Sequence, residues 1–227
     1  MAESCLLYYI TDRKTFPGDE PTRRRRLLDK IAEAASQGVD YIQLREKDLS
    51  TRELEVLARE AMQVVRDHDK VATDRRLPAL LINSRTDVAL ATSAAGVHLP
   101  ASDISPQEVR ASWKCAADAL AREISPQNPL IAVSCHSAQA VAQAAANGAT
   151  FVVLAPIFEK KDAPRSSPQG LDALRQACQE QIPVLALGGV TLHNAQSCLQ
   201  AGAAGIAAIR LFQENDIATI VRKLRSP

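Results

Sequence analysis

The chain repeats one alternation from end to end, a short apolar run followed by a longer amphipathic segment, and this property most narrows its fold. The apolar runs are Leu6 to Ile10, Tyr41 to Arg45, Ala79 to Asn83, Gly96 to Leu99, Leu130 to Val133, Phe151 to Leu154, Pro183 to Leu187 and Gly205 to Arg210. They have the length and composition of strands. Between them lie helical patterns, for example Arg24 to Gln37, Arg52 to Arg66, Ala138 to Asn147, Leu171 to Glu180 and Leu192 to Ala201. Such a succession predicts parallel pairing, because parallel neighbours need a crossover long enough to hold a helix. Eight runs predict an α/β fold, a (β/α)8 TIM barrel over residues 1–227 as a single domain, with an open doubly wound sheet as the alternative.

The junctions point the same way. Gln37-Gly38-Val39-Asp40, Ser93-Ala94-Ala95-Gly96-Val97, Asn147-Gly148-Ala149-Thr150 and Gln200-Ala201-Gly202-Ala203-Ala204-Gly205 place glycine or small residues where a helix stops and a strand begins. Left-handed caps and tight turns need such residues. Asp67 to Leu77 and Ser112 to Asn128 look longer or more polar than a minimal connection and predict surface elaborations. With 227 residues, 46% apolar and 23% charged, the chain can bury a full core, which argues against disorder. A formal net charge of +1 gives no global field to gather nucleic acid or an anionic membrane. The local run Arg23 to Arg26 opens a helical pattern and reads as a solvated face. No apolar stretch nears the ~20 residues of a membrane span, and Met1-Ala2-Glu3-Ser4 lacks a signal-peptide pattern, so the cytoplasm is the expected compartment. Cys5, Cys115, Cys135, Cys178 and Cys198 form no CxxC pair, which suits buried thiols better than a zinc site or disulfides.

A parallel barrel takes its functional groups from the carboxyl ends of its strands, and those ends are polar here. The second run passes directly into Gln43-Leu44-Arg45-Glu46-Lys47. Alternation puts Gln43, Arg45 and Lys47 on one face and Leu44 and Glu46 on the other, so the donors converge where an anion would be favoured. Asn83, Ser84 and Arg85 follow the third run, Asp103 the fourth, Ser134 and His136 the fifth, Glu159, Lys160 and Lys161 the sixth, and Gly188-Gly189 the seventh, while Arg210 ends the eighth. Several of these admit two readings. Gly188-Gly189 either presents backbone N–H groups to a phosphate at a helix N-terminus or forms a simple turn. Arg210 either grips the same phosphate or makes a salt bridge at the rim. Asp103 either offers a carboxylate to Mg2+ or stabilises a turn before a helix. His136 is either an acid/base or a satisfied rim histidine. His98 is expected to pack within the barrel, and His68 and His193 to occupy surface or loop positions.

Taken in order, Tyr9-Ile10-Thr11-Asp12, Gln43-Leu44-Arg45-Glu46-Lys47, Leu81-Ile82-Asn83-Ser84-Arg85-Thr86-Asp87-Val88-Ala89, Gly96-Val97-His98-Leu99, Val133-Ser134-Cys135-His136-Ser137, Ala155-Pro156-Ile157-Phe158 and Ala186-Leu187-Gly188-Gly189-Val190-Thr191 resemble the thiamine-phosphate synthase and TenI superfamily. The resemblance covers nearly the whole length. It implies a transferase of thiamine biosynthesis that joins 4-amino-2-methyl-5-hydroxymethylpyrimidine diphosphate to thiazole phosphate, giving thiamine phosphate and pyrophosphate. It also implies Mg2+ as cofactor and small phosphorylated substrates as partners, with no nucleic acid or membrane, and it leaves a homodimer open. By the same resemblance Gln43, Arg45 and Lys47, with Asn83 beside them, hold the diphosphate, and Asp103 helps bind Mg2+. Ser134 lies near the reacting pyrimidine and leaving group, Lys160 or Lys161 comes from a lid, and Gly189 meets the thiazole phosphate.

The chain departs from the synthase pattern at three places. Ser84 stands where synthases generally have a metal-binding Asp, Phe158 to Arg165 lacks the usual Pro-Thr and Thr-Lys pattern, and Arg210 replaces a small hydroxyl residue. TenI-type members are thiazole tautomerases that work without pyrimidine or metal, and His136 matches their catalytic histidine, as it does in many synthases. Retention of Gln43, Arg45, Lys47 and Asp103 favours a divergent synthase over a tautomerase. A non-catalytic sensor of phosphorylated thiamine-pathway ligands is the third reading.

Overall fold

The fold is seen in a computed structural model that describes residues 5–69, 77–120, 128–159 and 167–225. Strands β1 (Leu6–Ile10), β2 (Tyr41–Leu44), β3 (Ala79–Asn83), β4 (Gly96–Leu99), β5 (Leu130–Cys135), β6 (Phe151–Leu154), β7 (Val184–Ala186) and β8 (Gly205–Ala208) pair in sequence order and close into a barrel. Every pairing is parallel. Closure sets Leu6 opposite Gly205 and Tyr9 opposite Ala208. The chain is therefore a (β/α)8 TIM barrel rather than an open sheet.

The helices among the described residues are α1 (Glu20–Gln37), α2 (Thr51–Asp69), α3 (Thr86–Thr92), α4 (Pro106–Leu120), α5 (Ala138–Ala146), α6 (Gly170–Ala177), α7 (Ala195–Gln200), α8 (Arg210–Gln213) and α9 (Ile217–Arg225). Their ends follow local chemistry. The Asp19 carboxylate accepts from the Thr22 N–H at 3.1 Å, and Pro21 occupies the first turn of α1, where its missing N–H costs nothing. Leu27, Ile31, Ala34 and Ala35 form the buried stripe of that helix, at the spacing of one helical face. Left-handed backbone at Gly38, Ser93, Gly148 and Gly202 turns the chain from helix to strand, as the repeated junctions predicted.

Four strands differ in extent from the sequence expectation. β2 stops at Leu44, β5 continues to Cys135, β7 loses a residue at each end, and β8 stops at Ala208. Residues 112–120, expected as surface elaboration, belong to α4, because Val109 and Trp113 give that helix a buried face. The basic run is only partly a solvated face. Arg23 donates to the Phe16 carbonyl at 3.1 Å and Arg24 to Glu60 on α2 at 2.9 Å, leaving Arg25 and Arg26 exposed. Cys5, Cys135 and Cys198 are buried free thiols, and burial pushes each up to about 11. No helix among the described residues is long and apolar enough to cross a membrane.

Alternate side chains of each strand enter the lumen. Tyr8, Ile10, Leu81, Ala132, Phe151, Val153, Leu185 and Ala207 form an inner cluster, and the opposite strand faces pack on the helices in a larger outer core. The Tyr41 ring stacks on Phe151 with centroids 4.7 Å apart, and Tyr8 meets both edge-on at 5.9 and 5.4 Å. Gly96 marks a close approach, since a Cβ there would lie 1.8 Å from the Leu130 carbonyl oxygen. Gly96→Ala is expected to cost about 3 kcal/mol, the upper end of overpacking penalties, read as a lower urea midpoint at unchanged slope.

Candidate active site

Two residues beyond Tyr41, Leu81 and Ala132 the inward positions become polar: Gln43, Asn83 and Ser134. Gln43 donates to the Asn83 side-chain oxygen at 2.8 Å. It is 1% exposed, yet its Oε1 has no hydrogen-bond partner. A buried acceptor left open in this way is costly unless a ligand donor meets it. Ser84 adopts a left-handed φ of 60°, accepts weakly from Asn83 at 3.3 Å, and donates its backbone N–H to the His98 carbonyl at 2.9 Å. His98 is buried between Tyr8, whose hydroxyl lies 3.0 Å from Nδ1, and Ser134, whose Oγ lies 2.7 Å from Nε2. Burial, then the charge of Arg45, pushes this imidazole down to about 3, so it is neutral at ordinary pH.

Arg45 and Lys47 line a hollow of about 240 Å3 together with Asp12, Lys14, Glu46 and Asp48. Glu46, between the two cations in sequence, borders the same hollow, but its carboxylate is engaged by Thr11 and Arg13 and forms a buried anchor. It accepts from the Thr11 hydroxyl at 2.7 Å, from the Arg13 backbone N–H at 3.1 and 3.2 Å, and from Arg13 Nη1 at 3.0 Å. Thr11 in turn accepts from the Arg45 backbone N–H at 3.0 Å. Arg13 is 3% exposed and also binds Asp48 bidentately, at 2.7 and 2.8 Å, and Glu20 at 2.6 Å. Burial raises the Glu46 carboxyl against the pull of these donors, whereas the Arg13 guanidinium holds Asp48 far below the usual carboxylate range. Gln213 completes the frame by accepting from the Tyr9 hydroxyl at 3.0 Å and donating to the Asp12 carbonyl at 2.6 Å.

The remaining expected site residues are distributed around this centre. His136 is exposed just past β5, and its Nδ1 lies 2.7 Å from the Ala155 carbonyl. A carbonyl only accepts, so Nδ1 carries the hydrogen and the neutral ring keeps a lone pair on Nε2. Asp103 accepts from the Ile104 N–H at 2.9 Å within a turn, and the cap of α4 is supplied instead by Ser105 and Glu108. Among the described residues no group of three or more His, Cys, Asp or Glu is arranged to hold a metal. Gly188 and Gly189 have φ of 93° and 67°. A Cβ on Gly189 would lie 2.6 Å from the Glu159 carbonyl oxygen, so only glycine lets these two loops meet. The helix expected to follow directly from Leu192 begins only at Ala195, after a turn pinned by Asn194, so this glycine pair does not open a helix. Arg210 opens α8 instead of ending β8, and its side chain is exposed. Lys160 and Lys161 lie outside the described residues.

The order of these motifs around the barrel has a counterpart in known proteins. The sequence pattern of the family described as thiamine monophosphate synthase matches residues 7–212. The chain belongs to this family. The thiamine-phosphate synthase of Clostridium novyi (strain NT) is 36% identical over 214 residues, covering 92% of this chain and 91% of the relative. That of Methanoculleus marisnigri is 34% identical over 222 residues, covering 96% and 93%. A solved structure of thiamine phosphate pyrophosphorylase from Pyrococcus furiosus superposes with a TM-score of 0.72 at 29% identity, covering 98% of this chain and 95% of that one.

In this member of the thiamine monophosphate synthase family, sequence reasoning passed over Thr11, Arg13 and Gln213 and placed His98 in the packing alone. One signal was present. Thr11-Asp12-Arg13 follows β1 directly, the same strand-end position that marked Arg45 and Asn83. Gln213 carried none, because its partners are about two hundred residues away in the chain. Glu46→Gln is expected to lower stability by about 3 kcal/mol in chemical denaturation, since it leaves the buried Arg13 short of a charge. Asp48 has a lowered folded-state value, so its contribution is fully present above the unfolded carboxyl range and is lost as pH falls. The stability advantage of the wild type over Asp48→Asn should therefore be constant near neutrality and shrink below about pH 4.

Proposed function

We propose that the chain is a thiamine-phosphate synthase that transfers a hydroxymethylpyrimidine from its diphosphate to the nitrogen of thiazole phosphate, releasing pyrophosphate. The observation that carries this reading is the order of groups at the end of β2, where Gln43, bonded to Asn83 and open at Oε1, is followed within four residues by Arg45 and Lys47, which line the hollow. One end suits a flat polar ring and the other an anion. Relatives that cover nearly the same length and bear the synthase name support the same assignment.

In this reading Arg45 and Lys47 bind the diphosphate and stabilise charge on the leaving pyrophosphate. The carbon–oxygen bond breaks with its electron pair leaving on pyrophosphate, and the resulting pyrimidine cation forms a carbon–nitrogen bond with the thiazole. Gln43 and Asn83 fix the ring, Ser134 stands beside the reacting centre, and Gly189 admits the thiazole phosphate close to the backbone. The donor set fits Mg2+ only sparingly. Asp103 offers one carboxylate and Ser84 none, and a single carboxylate suffices only where substrate oxygens and water complete the shell. When bound there, Mg2+ would neutralise leaving-group charge.

The test is pyrophosphate release from the full chain with both substrates and Mg2+, and absence of release beside an active control removes the assignment. Arg45→Met is expected to lower kcat/KM by roughly 100-fold, the scale of losing one positioned charge on a developing anion. A tautomerase reading draws on the open Nε2 of His136. It predicts interconversion of carboxythiazole phosphate isomers in EDTA and loss of that interconversion in His136→Ala.

A further inference from the structure

We infer that Tyr8 and His98 are positioning residues that hold the Ser134 hydroxyl as a hydrogen-bond donor toward the substrate and bar it from acting as a nucleophile. The argument starts at the buried end of the chain Tyr8–His98–Ser134. Tyr8 is fully buried among lumen side chains, and His98 Nδ1, at 3.0 Å, is the partner its hydroxyl has among the described residues. Burial holds the phenol well above its usual range, so it keeps its proton. That proton needs an acceptor, and Nδ1 is the atom within reach. A neutral imidazole that accepts at Nδ1 carries its hydrogen on Nε2. Nε2 lies 2.7 Å from Ser134 Oγ and therefore donates to it.

The reverse order, with Ser134 donating to Nε2 and Nδ1 donating to Tyr8, would strand the phenolic hydrogen in the lumen. The cost of an unsatisfied buried donor favours the first order by roughly tenfold or more. Two consequences follow for Ser134. One of its lone pairs takes the imidazole N–H, so its own hydrogen does not point at His98 and is left for another acceptor. His98 has no lone pair at Nε2 to take a proton from Ser134, so the pair lacks the base that a serine nucleophile requires. The groups around His98 agree with a fixed neutral ring: Tyr8 from β1, Arg45 after β2, Asn83 opposite it on β3 and Ser134 from β5.

The inference rests on the proposed function only in placing a substrate beside Ser134. Its test reads the ring itself. In ligand-free full-length protein with 15N-labelled histidine, nitrogen–proton correlation spectra from pH 5 to 9 report which ring nitrogen is protonated. The His98 signals are assigned by difference, through H68Q, H136Q and H193Q. One hydrogen on Nε2 across the range is the expected result, and a hydrogen on Nδ1 or on both nitrogens would overturn the inference. In Tyr8→Phe, the Nδ1–H form should appear and kcat for pyrophosphate release should fall about tenfold, the scale of one lost hydrogen bond. An unchanged tautomer together with unchanged kcat overturns the role given to Tyr8. If that variant does not fold, the wild-type spectrum decides alone. Failure of the synthase assay in the wild type would count against the activity and leave the tautomer result standing.

Discussion

Three aromatic rings in the lumen decide where the rest of this molecule can put its chemistry. Tyr8, Tyr41 and Phe151 contact one another at 4.7 to 5.9 Å and fill the barrel at the level of their strands. Rings of this size bury large areas and prefer stacked or edge-on contacts, and Tyr8 and Phe151 are fully buried here. Polar side chains can enter the lumen only beyond them, toward the carboxyl ends of the strands. Gln43, Asn83 and Ser134 do so, each one pleat past an apolar inward residue. The phenol of Tyr8 meets His98 at 3.0 Å.

Above the plug, order is imposed by charge rather than by packing. The Arg13–Glu46 pair is buried, and taking such a pair out of water costs about as much as it returns, so it is a weak source of net stability. Its effect is geometric. Glu46 lies between Arg45 and Lys47 in sequence, and by turning inward to Thr11 and Arg13 it fixes the backbone from which both cations project. Asp48 takes the far side of the same guanidinium in a bidentate contact. The loop after β2 is thus tied to the loop after β1, and Gln213 ties the latter to α8.

Most of the fold was legible because it depends on local periodicity. Apolar runs gave all eight strands, and the glycine-bearing junctions gave the turns. Boundaries failed where the pattern ends without a breaker. Ile209 continues the apolar run beyond β8, but the chain there turns into α8, which moved Arg210 from a strand end to a helix start. The polar strand ends were legible for the same reason as the strands. The alternation expected through Lys47 presumed a strand that stops at Leu44, and sequence could not reveal that the Glu46 carboxylate is drawn to Thr11 and Arg13. His98 shows the limit most clearly: its position in a strand predicted packing, while its two hydrogen bonds come from residues 90 and 36 positions away.

Ser84 separates what the backbone of this barrel fixes from what a side chain adds. A serine at φ 60° occupies a conformation that favours glycine or asparagine, so the local backbone is held by its surroundings. The hold is visible in the bond from Ser84 N–H to the His98 carbonyl, which locks the end of β3 to β4 whatever side chain Ser84 carries. The neutral hydroxyl there accepts from Asn83, which in turn accepts from Gln43, and it adds no charge beside the cations. Arg45 and Lys47 do not depend on that side chain for their placement, because their backbone is held through Thr11 and Glu46 instead.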